Sequence, residues 1–256
     1  MQGWTPDKTW REECGIVAAV GVPRAADIVS LGLHALQHRG QESTGIVSCD
    51  ERGEFHSHKG IGLVSDVYRG DVLSRLGGSL AIGHNRYSTS GSLTLENTQP
   101  LRVVYRGGAL ALAHNGNLVN AREMRQSLEE SGSIFQTTLD TEIFLHLMAL
   151  ADAPGPEAAL IEAARQVRGA FSLLVLTPDA VLAMRDAHGF RPLCIGRLGD
   201  GYVVASETCA LDLVGADFVR DVEPGELVRI DPQGMSARRA LPEAQPLQQS
   251  LDIEPA

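Results

Sequence analysis

Short apolar runs of strand length recur along the chain at 15–20, 45–49, 79–83, 109–113, 171–176, 180–184, 193–196 and 202–205. Eight such runs demand at least one large sheet. Helical spacing is clearest over 25–37, where Ile28, Leu31, Leu33, Ala35 and Leu36 gather on one face before His38-Arg39-Gly40 stops it. Three more helices are predicted over 121–130, over 141–150 with Asp140 as candidate N-cap, and over 157–167. Strands and helices do not alternate one for one, which disfavours a doubly wound parallel sheet and predicts a layered α+β arrangement. Glycine, 27 of 256 residues, is concentrated in short turns between the runs, as many short strands require.

Composition narrows the class. With 43% hydrophobic and 21% charged residues the chain is that of a folded globular protein, not a disordered or fibrous one. Twenty-two basic against 32 acidic side chains leave a net charge of −10, and no basic run is long enough to follow a phosphate backbone, which argues against nucleic acid. No stretch approaches 18 consecutive apolar residues, and the first thirteen lack the apolar segment of a secretory signal, so a cytoplasmic protein without a membrane partner is expected. The four cysteines, Cys14, Cys49, Cys194 and Cys209, show no CxxC spacing and suggest neither a disulfide framework nor a zinc site.

Candidate chemistry sits at the ends of the apolar runs. Cys14 opens the first one: it is either a small buried thiol or, if the leader is removed after Glu13, a new N-terminus whose α-amine titrates near 7.7 to 8.0 beside its own thiol. In Gly83-His84-Asn85-Arg86-Tyr87-Ser88-Thr89, Arg86 offers a fork of donors for a carboxylate and Thr89 a hydroxyl; the plain alternative is a solvated turn with a surface ion pair. His114-Asn115-Gly116 reads as a hairpin turn, or as an amide and a backbone N–H paired to meet a developing oxyanion. Asp140 reads first as a helix cap, second as a carboxylate for a ligand ammonium. Glu142 with His146, and His56 with His58, lack a third ligand at metal spacing and read as solvated faces or turns.

The order of these blocks carries more than any one of them. Cys14-Gly15-Ile16-Val17, Gln37-His38-Arg39-Gly40-Gln41-Glu42-Ser43, His58-Lys59-Gly60-Ile61-Gly62-Leu63-Val64, Gly83-His84-Asn85-Arg86-Tyr87-Ser88-Thr89, His114-Asn115-Gly116-Asn117, Asp140-Thr141-Glu142, Arg185-Asp186-Ala187-His188-Gly189-Phe190-Arg191-Pro192-Leu193 and Ala205-Ser206-Glu207-Thr208-Cys209 succeed one another as in the class II glutamine amidotransferase (glutaminase) domain of the amidophosphoribosyltransferase family, which the chain resembles from Cys14 to about Asp231.

That resemblance implies the Ntn-hydrolase fold, a four-layer αββα sandwich. By matching position it implies Cys14 as nucleophile and, through its freed α-amine, general base; Asn115 and Gly116 as oxyanion hole; and Arg86, Thr89 and Asp140 as binders of the glutamine α-carboxylate and α-ammonium, with no metal ligand. The implied reaction is hydrolysis of L-glutamine to glutamate and ammonia through a thioester. The ammonia would serve conversion of phosphoribosyl pyrophosphate to 5-phosphoribosylamine in de novo purine (IMP) biosynthesis, a glycosyltransferase reaction. Residues 1–13 are then expected to be a propeptide, 14–240 the glutaminase domain, and 241–256 a linker or frayed tail towards an absent phosphoribosyltransferase domain. No cofactor is expected within this chain; Mg²⁺ and a [4Fe–4S] cluster would come only with the missing domain. The expected partners are glutamine, that domain or a separate chain as ammonia acceptor, and further copies in a homo-oligomeric complete enzyme. The competing readings are an inactive fragment or binding module, and a class II amidotransferase feeding ammonia to another acceptor.

Overall fold

The computed structural model of the chain describes residues 14–87 and 94–242. The predicted propeptide, Thr89 and nearly all of the predicted tail lie outside the described residues.

In chain order the strands and helices are β1 (Gly15–Val20), α1 (Ala25–Ala35), β2 (Ser43–Cys49), β3 (Phe55–Ile61), the single turn α2 (Val64–Val67), β4 (Leu80–Arg86), β5 (Leu101–Tyr105) and β6 (Gly108–Leu118). Then come α3 (Ala121–Glu130), α4 (Thr141–Leu150), α5 (Pro156–Gln166), β7 (Gly169–Leu176), β8 (Val181–Arg185), β9 (Cys194–Leu198), β10 (Gly201–Ala205), α6 (Thr208–Val214), β11 (Asp217–Asp221), β12 (Glu226–Asp231) and β13 (Gly234–Arg239). All strand pairs are antiparallel, in two sheets ordered β11-β9-β10-β1-β4-β2-β3 and β13-β12-β8-β7-β6-β5. The expected layered α+β sandwich is what forms.

The layering follows from the side-chain period of two. In β1, Ile16, Ala18 and Val20 join Ile82, Ala111, Ala113, Leu174 and Val204 in a core between the two sheets. The alternate residues Val17 and Ala19 join Val29, Leu33 and Leu211 in a second core under α1 and α6. A strand buried on both faces has no polar side, so it reads as a continuous apolar run. A third core packs α4 and α5 on the other sheet through Phe144, Met148, Leu160, Leu112 and Leu173. Helices of ten residues are marginal alone. Burial of each large side chain contributes about 1.5–3 kcal/mol, so α4 forms because Ile143, Phe144, Leu147 and Met148 are all covered.

Boundaries shift locally. Helix α1 ends at Ala35, two residues short of its predicted end, with the Leu36 N–H returning to Gly32 O. Seven helices and strands beyond those predicted are present among the described residues: α2, α6 and the strands β3, β5, β11, β12 and β13.

Candidate functional site

The first strand is strapped at its start. Ile16 N–H donates to Ser206 Oγ and Ser206 N–H to Ile16 O, each at 3.0 Å. Arg39, almost wholly buried, donates from Nε to Cys14 O at 2.7 Å and pairs through Nη1 with Glu207, which also meets His38 Nε2 at 3.0 Å. Burial would raise the Glu207 carboxyl, but Arg39 and His38 outweigh it and hold the group below the usual carboxylate range. Cys14 therefore has its carbonyl fixed, while its Sγ lies 3.7 Å from Tyr87 O. Cys14 stands just before β1, and its φ of 48° is in the left-handed region, so the chain turns at this residue as it enters the strand. Arg39 and Glu207 were not singled out from the sequence. Both lie in blocks that carry the resemblance, but no local pattern pairs two side chains 168 positions apart.

Arg86 ends β4 and is 2% exposed, which corrects the solvated-turn alternative. It pairs in register with Ser43, and its Nη1 lies 4.0 Å from Glu42 Oε2. With His84 one period earlier, whose ring reaches His114 O on the second sheet, it shares the inward face of β4. A guanidinium held there is a buried cation suited to a carboxylate.

Asn115-Gly116 is not a hairpin turn but the body of β6. Strand β5 stops pairing with β6 at Leu112, which leaves an open edge beyond it. There His114 N–H donates to Gln99 Oε1 at 2.8 Å, and Leu118 N–H donates to Asp140 Oδ2 at 2.9 Å. Between them, Gly116 faces Phe171, whose own N–H and C=O bond Asp186 on the opposite side. Ladder alternation thus turns Gly116 N–H to the open edge. Its φ is 152°, and a Cβ here would stand 2.0 Å from Ala170 O, so only glycine fits. Asn115 extends the inward face of Ala111 and Ala113; it is fully buried, and neither atom of its amide has a hydrogen-bond partner among the described residues. Leaving such a group unpaired costs about 1–3 kcal/mol. Strands β1 and β4 lie across the interior from β6.

Asp140 stands at the start of α4 but makes no side-chain cap, which corrects the cap reading. Its carboxylate is used by Leu118 N–H and lies 3.5 Å from His114 Nδ1. Burial would raise it; His114 and the Leu118 N–H prevail and keep it below the usual range. The segments around it are tied together: Asn97 and Thr138 exchange two hydrogen bonds, and Lys59 Nζ donates to Thr98 O at 2.7 Å. Burial pulls the Lys59 ammonium down to about 8.

His84 bridges the sheets, its Nε2–H donating to His114 O at 3.1 Å. Complete burial lowers its imidazolium to about 3, from 6.5. The unfolded chain therefore takes up a proton below pH 6.5 that the native one refuses, so stability is full above 6.5 and falls as pH drops towards 3. The expected slope from this group is about 1.4 kcal/mol per pH unit. Denaturant unfolding between pH 7 and 5 should show it in wild type and lose it in His84→Gln; equal slopes would refute the assignment.

Glu142 is buried and accepts from Gln136 N–H, Thr137 N–H and Thr137 Oγ1, so the solvated-face reading is corrected: it organises the turn before α4. Burial pushes the Cys49 thiol to about 11 and the Cys194 thiol to about 12; Cys209, half-buried rather than a core thiol, is raised by burial and by Glu207. Among the described residues the one group of three metal-ligating side chains is Asp50, Glu54 and His56. The Asp50 carboxylate is already taken by Arg52 N–H and Glu54 N–H in the turn between β2 and β3 and by His56 Nε2 of β3. No described helix is long and apolar enough to cross a membrane.

The site thus brings together the start of β1, the end of β4 and the open edge of β6. A family model for a glutamine amidotransferase domain matches residues 84–213, a span containing Arg86, Thr89, Asn115, Gly116 and Asp140. The chain is 47% identical over 243 residues to chloroplastic amidophosphoribosyltransferase 1 of Arabidopsis thaliana, covering 94% of this chain and 43% of that one. To the amidophosphoribosyltransferase of Bacillus subtilis it is 46% identical over 235 residues, covering 91% and 49%. The structure of the B. subtilis glutamine phosphoribosylpyrophosphate amidotransferase complexed with ADP and GMP superposes with a TM-score of 0.84 at 46% identity, over 89% of this chain and 49% of that one. The chain spans about half the length of the curated relatives it matches.

Proposed function

The chain belongs to the glutamine amidotransferase domain family, and from that premise we propose that it hydrolyses L-glutamine to glutamate and ammonia with Cys14 as an N-terminal nucleophile. The observation that carries this reading is the buried Asn115 amide, without a hydrogen-bond partner among the described residues, beside the edge-facing Gly116 N–H and across the interior from β1, which follows Cys14, and β4, which ends at Arg86. Freed at Glu13, the Cys14 α-amine takes the thiol proton. Sγ adds to the glutamine side-chain carbonyl, and Asn115 Nδ2 with Gly116 N–H hold the oxyanion. The protonated amine returns the proton to the leaving nitrogen, ammonia departs, and a thioester remains for water to hydrolyse. Arg86 takes the α-carboxylate with support from Thr89, and Asp140 takes the α-ammonium.

The ammonia serves, in this proposal, a phosphoribosyltransferase domain or chain that converts phosphoribosyl pyrophosphate to 5-phosphoribosylamine in purine biosynthesis, within a cytoplasmic homo-oligomer. The relatives' names support that acceptor. Mg²⁺ and an iron–sulfur cluster are assigned, in this proposal, to that other half.

The test is the intact mass of a chain beginning at Cys14 after exposure to 6-diazo-5-oxo-L-norleucine, an electrophile built on the glutamine skeleton. One adduct is expected, on Cys14, suppressed by glutamine; Cys49, Cys194 and Cys209 stay free, consistent with their raised thiols. An adduct on another cysteine, or none, would sink the reading.

A further inference from the structure

One residue touches both halves of this site and has been given no part in it. His114 lies on β6 directly before Asn115 and is 2% exposed. Its backbone is held from several directions: the N–H donates to Gln99 Oε1, and the C=O accepts from His84 Nε2 at 3.1 Å and from Gln99 Nε2 at 3.4 Å. Its ring points the other way, edge-on to Phe144 with centroids 5.7 Å apart. Nδ1 meets Thr141 Oγ1 at 3.2 Å and Asp140 Oδ1 at 3.5 Å, while buried Nε2 has no partner among the described residues. With acceptors at Nδ1 only, the ring's proton belongs on Nδ1.

From this arrangement, and resting on the glutaminase reading above, we infer that His114 is a positioning residue: through Nδ1–H it fixes the carboxylate of Asp140 for the substrate's α-ammonium, while its clamped backbone fixes the oxyanion donors that follow it. Asp140 has one oxygen committed to Leu118 N–H. The other would swing freely without the ring, and an amino-acid ligand would then lose its aligned counter-charge. The reacting end of the site, in contrast, depends on β6 itself. Loss of the ring should therefore weaken recognition of the α-amino acid group and leave thiol reactivity alone.

That split is what the experiment reads. In chains beginning at Cys14, labelling by 6-diazo-5-oxo-L-norleucine, which carries an α-ammonium, is compared with labelling by iodoacetamide, which does not. His114→Phe should slow the first at least tenfold, leave the second within twofold, and raise KM for glutamine more than it lowers kcat. His114→Asn, whose amide nitrogen can stand where Nδ1 stands, should recover the first rate to within about threefold. Should His114→Phe fail to fold by circular dichroism, His114→Leu is read against His114→Asn in the same way. Equal slowing of both reagents would reduce His114 to a packing residue, and no slowing of either would remove it from the site; both overturn the inference alone. Wild type unlabelled by the glutamine-like reagent would overturn the glutaminase reading together with it.

Discussion

A chain still joined through Glu13–Cys14 is expected to release glutamate from glutamine 10²- to 10⁴-fold more slowly than one beginning at Cys14. The range is the usual contribution of a positioned general base. In the joined chain the Cys14 nitrogen is an amide, with no basic lone pair. His84, which pairs in register with Ile16 of β1, is held neutral to about pH 3 and spent on His114 O. Freed, the α-amine titrates near 7.7 to 8.0 and lies one bond from the carbon that carries the thiol arm. The fixed carbonyl matters here: Arg39 holds Cys14 O, so the residue keeps its place when the peptide before it is cut. The check is a glutamate-release assay on two preparations, one cut at Glu13–Cys14 and one protected there by substitution of Glu13, each verified by intact mass. Comparable turnover by the joined chain would mean that another group takes the thiol proton, and the α-amine would leave the mechanism.

The sequence revealed the centre of the fold better than its rim, for a physical reason. β1, β4, β6, β7, β8, β9 and β10, whose apolar runs announced them, have cores on both faces or sit beside strands that do. The strands not anticipated include all four sheet edges, β3, β11, β13 and β5. Edge strands are commonly charged and half-solvated, and β11 (DFVRD) and β13 (GMSARR) show it. A period-two signal in such short polar segments is hard to separate from loop.

The site divides in the same way. Cys14, Arg86 and Asn115 were legible as candidates because each carries unusual chemistry at the end of an apolar run, and Asp140 because it opens a helix. What local patterns proposed for them was less sound: Asn-Gly suggested a turn where β6 continues, and Asp140 suggested a cap although its oxygens serve Leu118 and face His114. Both errors come from reading neighbours in sequence where the partner lies 22 residues away or in another strand. Arg39, Glu207 and Gln99 act on residues 25, 168 and 15 positions distant, which no local pattern records.

The second large effect is expected at Asn115, where activity and stability should move apart. In Asn115→Ala, kcat should fall 10²- to 10³-fold, the usual loss on removing one oxyanion donor, with KM for glutamine within about threefold. The amide has no ground-state partner to lose, being buried without a hydrogen bond among the described residues. Its removal relieves a desolvation cost of about 1–3 kcal/mol, which offsets the small cavity left behind. Unfolding stability should then stay within about 1 kcal/mol of wild type or rise. A merely structural asparagine would behave in the opposite manner, losing stability and activity together. Steady-state kinetics and denaturant melts on one preparation decide it. Because Gly116 N–H remains as the second donor, activity should not vanish; a kcat within threefold of wild type would show that charge never develops at this edge of β6.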